Sequence, residues 1–271
     1  MAFGRIVFVV GGSGGIGKSS TSRALAQALS HTNGGGTRVV LADANLGQQT
    51  QRSYHRIDDS RGLERLRVDE NPMHALIPPA PKDPAGRRYA ILPGPLDPRP
   101  DNMGRLLQLM GGALGRLARR VDWIIVDMDK IDMLDLDDPD TVAGGVMLPW
   151  VDSGGAGILY KLESQRGKFE DGLETLRHLN RPNATGVLGV VPYHAPDPPL
   201  DAWRSRIRGL GRLVGVEHWT AGSAGLLSRG LVGWPDGGEP DWLDGVLAWC
   251  GIHAADTTGR GGVRRLFQRR K

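Results

Sequence analysis

Gly11–Ser20, GGSGGIGKSS, decides how the rest of the chain is read. It follows Ile6–Val10 (IVFVV), a short β-branched run bounded by glycines that reads as a buried strand. It precedes Thr21–Leu29 (TSRALAQAL), where Leu25, Ala26 and Leu29 fall on one face of a helix. Between the two, Gly12, Gly17, Lys18 and Ser19 satisfy G-x-x-x-x-G-K-S/T without a gap. Glycines let the backbone wrap closely enough for successive N–H groups to point at phosphate oxygens, and the following helix adds its positive end. The whole loop, Gly12, Ser13, Gly14, Gly15, Ile16, Gly17, Lys18, Ser19 and Ser20, is therefore expected to cradle the phosphates of a nucleotide. Lys18 is placed to neutralise β- and γ-phosphate charge, and Ser19 to hold Mg²⁺.

Composition bounds the answer. With 271 residues the chain can build one large α/β domain. Forty glycines and eighteen prolines call for many turns, yet no low-complexity tract suggests disorder throughout. No apolar run approaches a membrane span, and the first strand begins so early that no signal peptide is expected. The single cysteine, Cys250, excludes an internal disulfide and a thiolate-built metal or Fe–S site within one chain. The expectation is a soluble, cytoplasmic protein.

Further along, Arg38–Ala42 (RVVLA) reads as a second buried strand ending at Asp43. Val121–Asp127 (VDWIIVD) is another apolar strand ending in a carboxylate, which at that edge faces a phosphate crevice and can hold a metal-bound water. Ser19, Asp43 and Asp127 are thus the metal candidates. Tyr89–Leu92, Thr141–Leu148, Thr185–Pro192 and Val214–Val216 read as further strands, with helices over Met103–Arg120 and Asp241–Trp249. Ser153–Arg166 reads as loop and helix carrying Lys161. Gln48–Asp69, with five arginines, reads as a switch-like loop and a short helix, or simply as solvated surface. Asp127–Asp140 holds seven aspartates and one lysine, too acidic for a DNA-binding face.

Strand, glycine loop, helix, and then Val39–Gln49 (VVLADANLGQQ) with its D-x-D/N-L-G turn together resemble the MinD/ParA group of P-loop ATPases. The resemblance implies a doubly wound α/β fold with a mostly parallel sheet and helices on both faces. It also implies a nucleotide-dependent homodimer, an activating or cargo adaptor protein, and a base pocket near Pro192 and Tyr193. In that group the loop carries an extra lysine that reaches the partner's nucleotide; Ser13 stands there in this chain. The group's second aspartate after the second strand, implicated in positioning the attacking water, is Asn45 here. The catalytic candidates are Lys18, Asp43 and Asn45, and hydrolysis is expected to be slow. Lys130 and Lys161 are candidates for a lysine supplied from elsewhere.

The ATPase domain is expected to span 1–252, followed by a tail over 253–271. The tail ends RGGVRRLFQRRK, with six basic residues, no acid, and Val263, Leu266 and Phe267 on one helical face. It reads as a segment for anionic membrane, making the protein peripheral on the inner face, or as a contact for nonspecific DNA, or as a solubilising end. Two functions remain. One is a MinD/ParA-like ATPase that positions or partitions a cargo on membrane or DNA, the cargo being a plasmid, a chromosome region or a protein assembly. The other is a weakly hydrolysing nucleotide-binding scaffold in a secretion, conjugation or polymer-export apparatus. A small-molecule synthetase or cluster carrier has no substrate constellation to support it.

Overall fold

Apolar strands without polar alternation need cover on both faces, and the chain supplies it. The computed structural model describes residues 4–57, 62–67, 70–82, 86–193, 195–196, 198–219 and 241–252. The strands are β1 (Ile6–Gly11), β2 (Val39–Ala44), β3 (Ala90–Leu92), β4 (Trp123–Met128), β5 (Ala156–Glu163), β6 (Thr185–Val191) and β7 (Arg212–His218). They form one parallel sheet in the order β3-β2-β4-β1-β5-β6-β7. β1, β2, β4, β5 and β6 are buried along their whole length, as continuous parallel strands must be.

The two faces carry different cores. Val7, Val9, Leu41, Ile125 and Leu159 point to the face covered by α1 (Lys18–Ser30) and α8 (Asp241–Trp249). Ile6, Phe8, Val10, Val126 and Tyr160 point to the other. That face is covered by α3 (Met103–Leu117), α4 (Met133–Asp137), α5 (Leu148–Asp152), α6 (Arg166–Leu179) and α7 (Leu200–Arg206). The period-two alternation then fixes where three charged residues go. Asp43, Asp127 and Lys161 share parity with Leu41, Ile125 and Leu159, so all three project toward α1 at the carboxyl edge of the sheet.

Three expectations need correction. Thr141–Leu148 is helical, a wide turn over Ala143–Met147 running into α5. Ala143, Val146 and Met147 are its buried residues, a spacing of three and four rather than two. Gly144 and Gly145 are needed because a Cβ on either would come within 2.2 Å of the Asp138 and Pro139 carbonyl oxygens. The strand lies later, at β5, where Lys161 interrupts the apolar run and disguises it. Lys161 is therefore on a central strand and not on a helix. The segment Gln48–Asp69 contains α2 (Thr50–Tyr54), whose Gln51 and Arg52 are buried rather than solvated. The C-terminal tail and the segment 220–240 lie outside the described residues.

α8 packs unusually close to β7. A Cβ on Gly245 would stand 1.8 Å from the Val214 carbonyl oxygen, a distance no side chain can occupy. Helix propensity alone says Gly245→Ala should stabilise by up to about 1 kcal/mol. The contact reverses the sign. Gly245→Ala is expected to lower stability by about 1–3 kcal/mol through forced separation of α8 from the sheet, measured as a fall in the urea midpoint at unchanged slope.

A candidate nucleotide and metal site at the sheet's carboxyl edge

The loop between β1 and α1 turns on two glycines with left-handed backbone, Gly15 (φ 73°) and Gly17 (φ 75°). Gly14 and Gly15 face open space, with no atom within 4 Å of the Cβ positions they lack. Lys18 folds back across the loop and donates from Nζ to the Ser13 carbonyl oxygen at 2.9 Å. Its side chain is buried, and burial pushes its pKa down while Asp129 and Asp127 pull it back up. Ile16 is buried beneath the loop, and Ser20 accepts a hydrogen bond from Arg23.

Beside this loop stand two carboxylates. Asp43 and Asp127 are register partners on β2 and β4, both almost wholly buried. Asp43 accepts the Asn45 N–H on Oδ1 (3.1 Å) and the Gln51 N–H on Oδ2 (3.0 Å). Asp127 accepts from Ser22 Oγ (3.2 Å) and from Gln51 Nε2 (2.7 Å), and Ser19 also hydrogen-bonds to it. Burial first, and the neighbouring Asp127 second, raise the Asp43 carboxyl to about 7. Burial likewise raises Asp127. Two like charges out of water cannot both be stable unless a cation joins them or a proton stays.

The predicted residues thus converge: Ser19, Asp43 and Asp127 surround one end of the loop that holds Lys18. Gly12 is tied to the other face, since a Cβ there would meet the Tyr160 hydroxyl at 2.8 Å. Asn45 has another task. Its Oδ1 accepts the Gln48 N–H and its Nδ2 donates to Thr50 Oγ1, both at 3.1 Å, so its amide ties the turn after β2 to α2. Pro192 and Tyr193 follow β6, and Tyr193 is exposed. Lys130 is exposed next to Asp129, whereas Lys161 is buried beneath the loop and offers nothing to the surface.

Sequence reasoning missed Gln51, Arg23 and Trp219. Gln51 bridges both carboxylates; its Oε1 accepts from Arg23, whose guanidinium lies 3.2 Å from the centre of the Tyr54 ring. Nothing in Thr50–Tyr54 marks that role, because it depends on α2 folding back over β2. The Trp219 backbone N–H donates to the Val191 carbonyl oxygen, and its ring lies near Gly17, 3.7 Å from where a Cβ would be.

No family model matches the sequence, and no curated protein matches it. Solved structures do. An ATP complex of a McdA variant from Cyanothece superposes with TM-score 0.63 at 17% identity, covering 93% of this chain and 98% of that one. A chain of the MinC:MinD cell division complex of Aquifex aeolicus gives 0.61 at 15%, covering 92% and 97%. MinD with Mg-ADP from Pyrococcus horikoshii gives 0.61 at 18%, covering 84% and 86%. The chain has the MinD/ParA-like P-loop NTPase fold.

The carboxylate pair sets a pH dependence. An unfolded aspartate titrates near 3.9. Because the folded Asp43 titrates higher, the native state binds more protons between these values, and stability falls as pH rises from about 4 to about 7. Asp127→Asn removes one charge: its one amide oxygen can still accept from Gln51 Nε2, and its Nδ2 can donate to Ser22 Oγ, whose own proton has the Lys18 carbonyl as an acceptor. In chelator-treated protein it is expected to raise stability at pH 8 by on the order of 1–3 kcal/mol and to flatten the decline; urea midpoints at pH 5 and pH 8 measure both.

Proposed function

We propose that the chain is an ATP-binding switch of the MinD/ParA kind, whose nucleotide-dependent dimer positions or partitions a cargo. The observation that carries this is the joint placement of the phosphate loop and the buried Asp43–Asp127 pair on one edge. A loop with open glycines, a lysine and a helix N-terminus selects an anion; two desolvated carboxylates beside it select a cation; Mg-ATP supplies both. The donor set fits Mg²⁺, a hard ion that takes oxygen ligands and keeps several waters. Ser19 would hold it, with Asp127 and Asp43 taking its waters; when bound it neutralises charge on the β- and γ-phosphates. The MinD and McdA structures named above contain Mg-ADP and ATP in their own right, which supports the same ligand here.

The chain's own residues then divide the work. Backbone N–H groups of Gly14–Ser19 orient the phosphates, and Lys18, desolvated and already inside the loop, exchanges the Ser13 carbonyl for phosphate oxygen. Asp43 orients water through a carboxylate whose position Asn45 N–H and Gln51 N–H fix. Asn45 lends no carboxylate, and Ser13 brings no cation to a second protomer. Both substitutions slow hydrolysis, so the bound state persists. The engaged Asn45 amide also favours the second reading, a nucleotide-binding scaffold with little turnover; ATP hydrolysis measured with and without lipid or DNA separates the two.

Lys18→Ala is expected to weaken Mg-ATP binding by about 1.5–3 kcal/mol, the worth of a charge-assisted phosphate contact, or more where the phosphate is desolvated. Calorimetric titration of the purified protein measures it, and an unchanged affinity would remove the nucleotide reading.

The tail gives the proposal a surface. Arg264, Arg265, Arg269, Arg270 and Lys271 would each add about 1 kcal/mol near anionic lipid, and Val263, Leu266 and Phe267 would add apolar burial. One tail binds weakly, and a dimer presents two. Phe267→Glu is expected to abolish ATP-dependent sedimentation with anionic vesicles while lowering DNA binding only modestly, since the arginines remain. Intact vesicle binding by this variant would rule out the membrane role.

A further inference from the structure

Among the described residues, Lys161 is the lysine whose head group is fully buried beneath the phosphate loop, and the nucleotide reading gives it nothing to touch. Its side chain is 0% exposed. Its Nζ donates to the Gly17 carbonyl oxygen at 3.1 Å, to Thr21 Oγ1 at 2.7 Å and to Glu217 Oε2 at 2.5 Å. These three partners come from the loop, the first turn of α1 and the edge strand β7. Burial of an ammonium is costly and pushes the Lys161 pKa down, while Glu217 facing it and Asp127 nearby favour the charged form.

The target of this cation is informative. Gly17 is the left-handed residue that opens α1, and its carbonyl already accepts the Thr21 N–H at 3.0 Å. Peptide units are planar and trans, so the C=O of Gly17 and the N–H of Lys18 point in opposite directions. A carbonyl pinned down toward Lys161 aims the Lys18 N–H up, into the loop. The anchor is itself anchored: Glu217 sits two residues before Trp219, whose ring lies against Gly17.

We infer that Lys161 is a positioning residue of the phosphate loop: held by Glu217, its ammonium fixes the Gly17 carbonyl and so presents the Lys18 N–H to a nucleotide phosphate. The inference rests on the nucleotide reading for its ligand and on the structure alone for its geometry. It differs from a lysine offered to a second protomer, because the head group is enclosed and already has three partners. It also makes the end of β7 part of the phosphate site, since the register of β7 sets Glu217.

The test uses full-length protein with Mg-ADP as the probe and compares wild type, Lys161→Met and the pair Lys161→Met/Glu217→Gln. Lys161→Met leaves a partly buried carboxylate alone and should lose both stability and affinity. The double variant removes that stranded charge and should regain most of the urea midpoint. If Lys161 aims the loop, its Mg-ADP dissociation constant stays about tenfold or more above wild type despite recovered stability. Affinity that returns with stability would overturn the inference, leaving Lys161 a packing residue. A second readout needs no nucleotide: hydrogen exchange at the Thr21 amide, which bonds to the pinned carbonyl, should quicken in the double variant while amides of β1 stay protected. Wild-type protein that fails to bind Mg-ADP would sink the nucleotide reading, and the Thr21 amide then decides the anchor alone: unchanged exchange there overturns it.

Discussion

Asp43 and Asp127 stand side by side on neighbouring strands, out of water, and the carboxyl edge of the sheet is arranged to tolerate them. Their oxygens take hydrogen bonds from Gln51, Ser22, Ser19 and the Asn45 backbone. Each such bond favours the charged form, yet burial still wins and raises both carboxyls, joined at Asp43 by repulsion from Asp127. A structure that keeps two carboxylates under this tension gains from anything that brings positive charge between them. The same constraint explains why α2 folds back: its first turn supplies the backbone N–H to Asp43 and the Gln51 amide to Asp127, and no other described segment supplies both.

Charge around the pair is balanced locally rather than globally. Arg23 reaches Gln51 and stacks on Tyr54; Arg52 donates to the Gly94 carbonyl at 3.2 Å while pulling Asp43 down. Lys18 and Lys161 lie on the loop side and repel each other enough to lower Lys18 further. Ammoniums and carboxylates therefore meet at the N-terminus of α1, where the helix adds its own partial positive charge. An anion bound in the loop would relieve the lysines as a cation relieves the acids. The two halves of a metal–nucleotide complex answer two opposite strains in one place.

Much of this was legible in the sequence, and the reasons are specific. Ile6–Val10, the glycine loop and Thr21–Leu29 each obey a local rule, and the loop's spacing is long enough to be selective. Asp43 and Asp127 were readable because a carboxylate at the end of an apolar run has one sensible destination in a parallel sheet. Ala156–Glu163 was not, because Lys161 and Glu163 break the apolar run and read as polar helix positions. The charge of Lys161 is compensated by Glu217, on a strand two places away in the sheet, and no local pattern reports that. The run TVAGGVML misled for the opposite reason: it is apolar enough for a strand, but its buried positions follow helical spacing and its paired glycines serve a close backbone approach.

The identity of position 45 shows how the fold and the chemistry can part. An aspartate there could orient water, but it could not donate to Thr50 while accepting from Gln48. Asn45 does both, and so fixes the turn that carries Gln51 to the carboxylates. The turn is made firmer by the same change that removes a carboxylate from the site. Ser13 works in the same direction, since it leaves the loop's outer rim without a cation while its carbonyl gives Lys18 a resting partner. On the proposed reading, both residues favour holding a nucleotide over consuming it. A switch built this way stays on until something external completes the site, and control of turnover passes to the partner that does so.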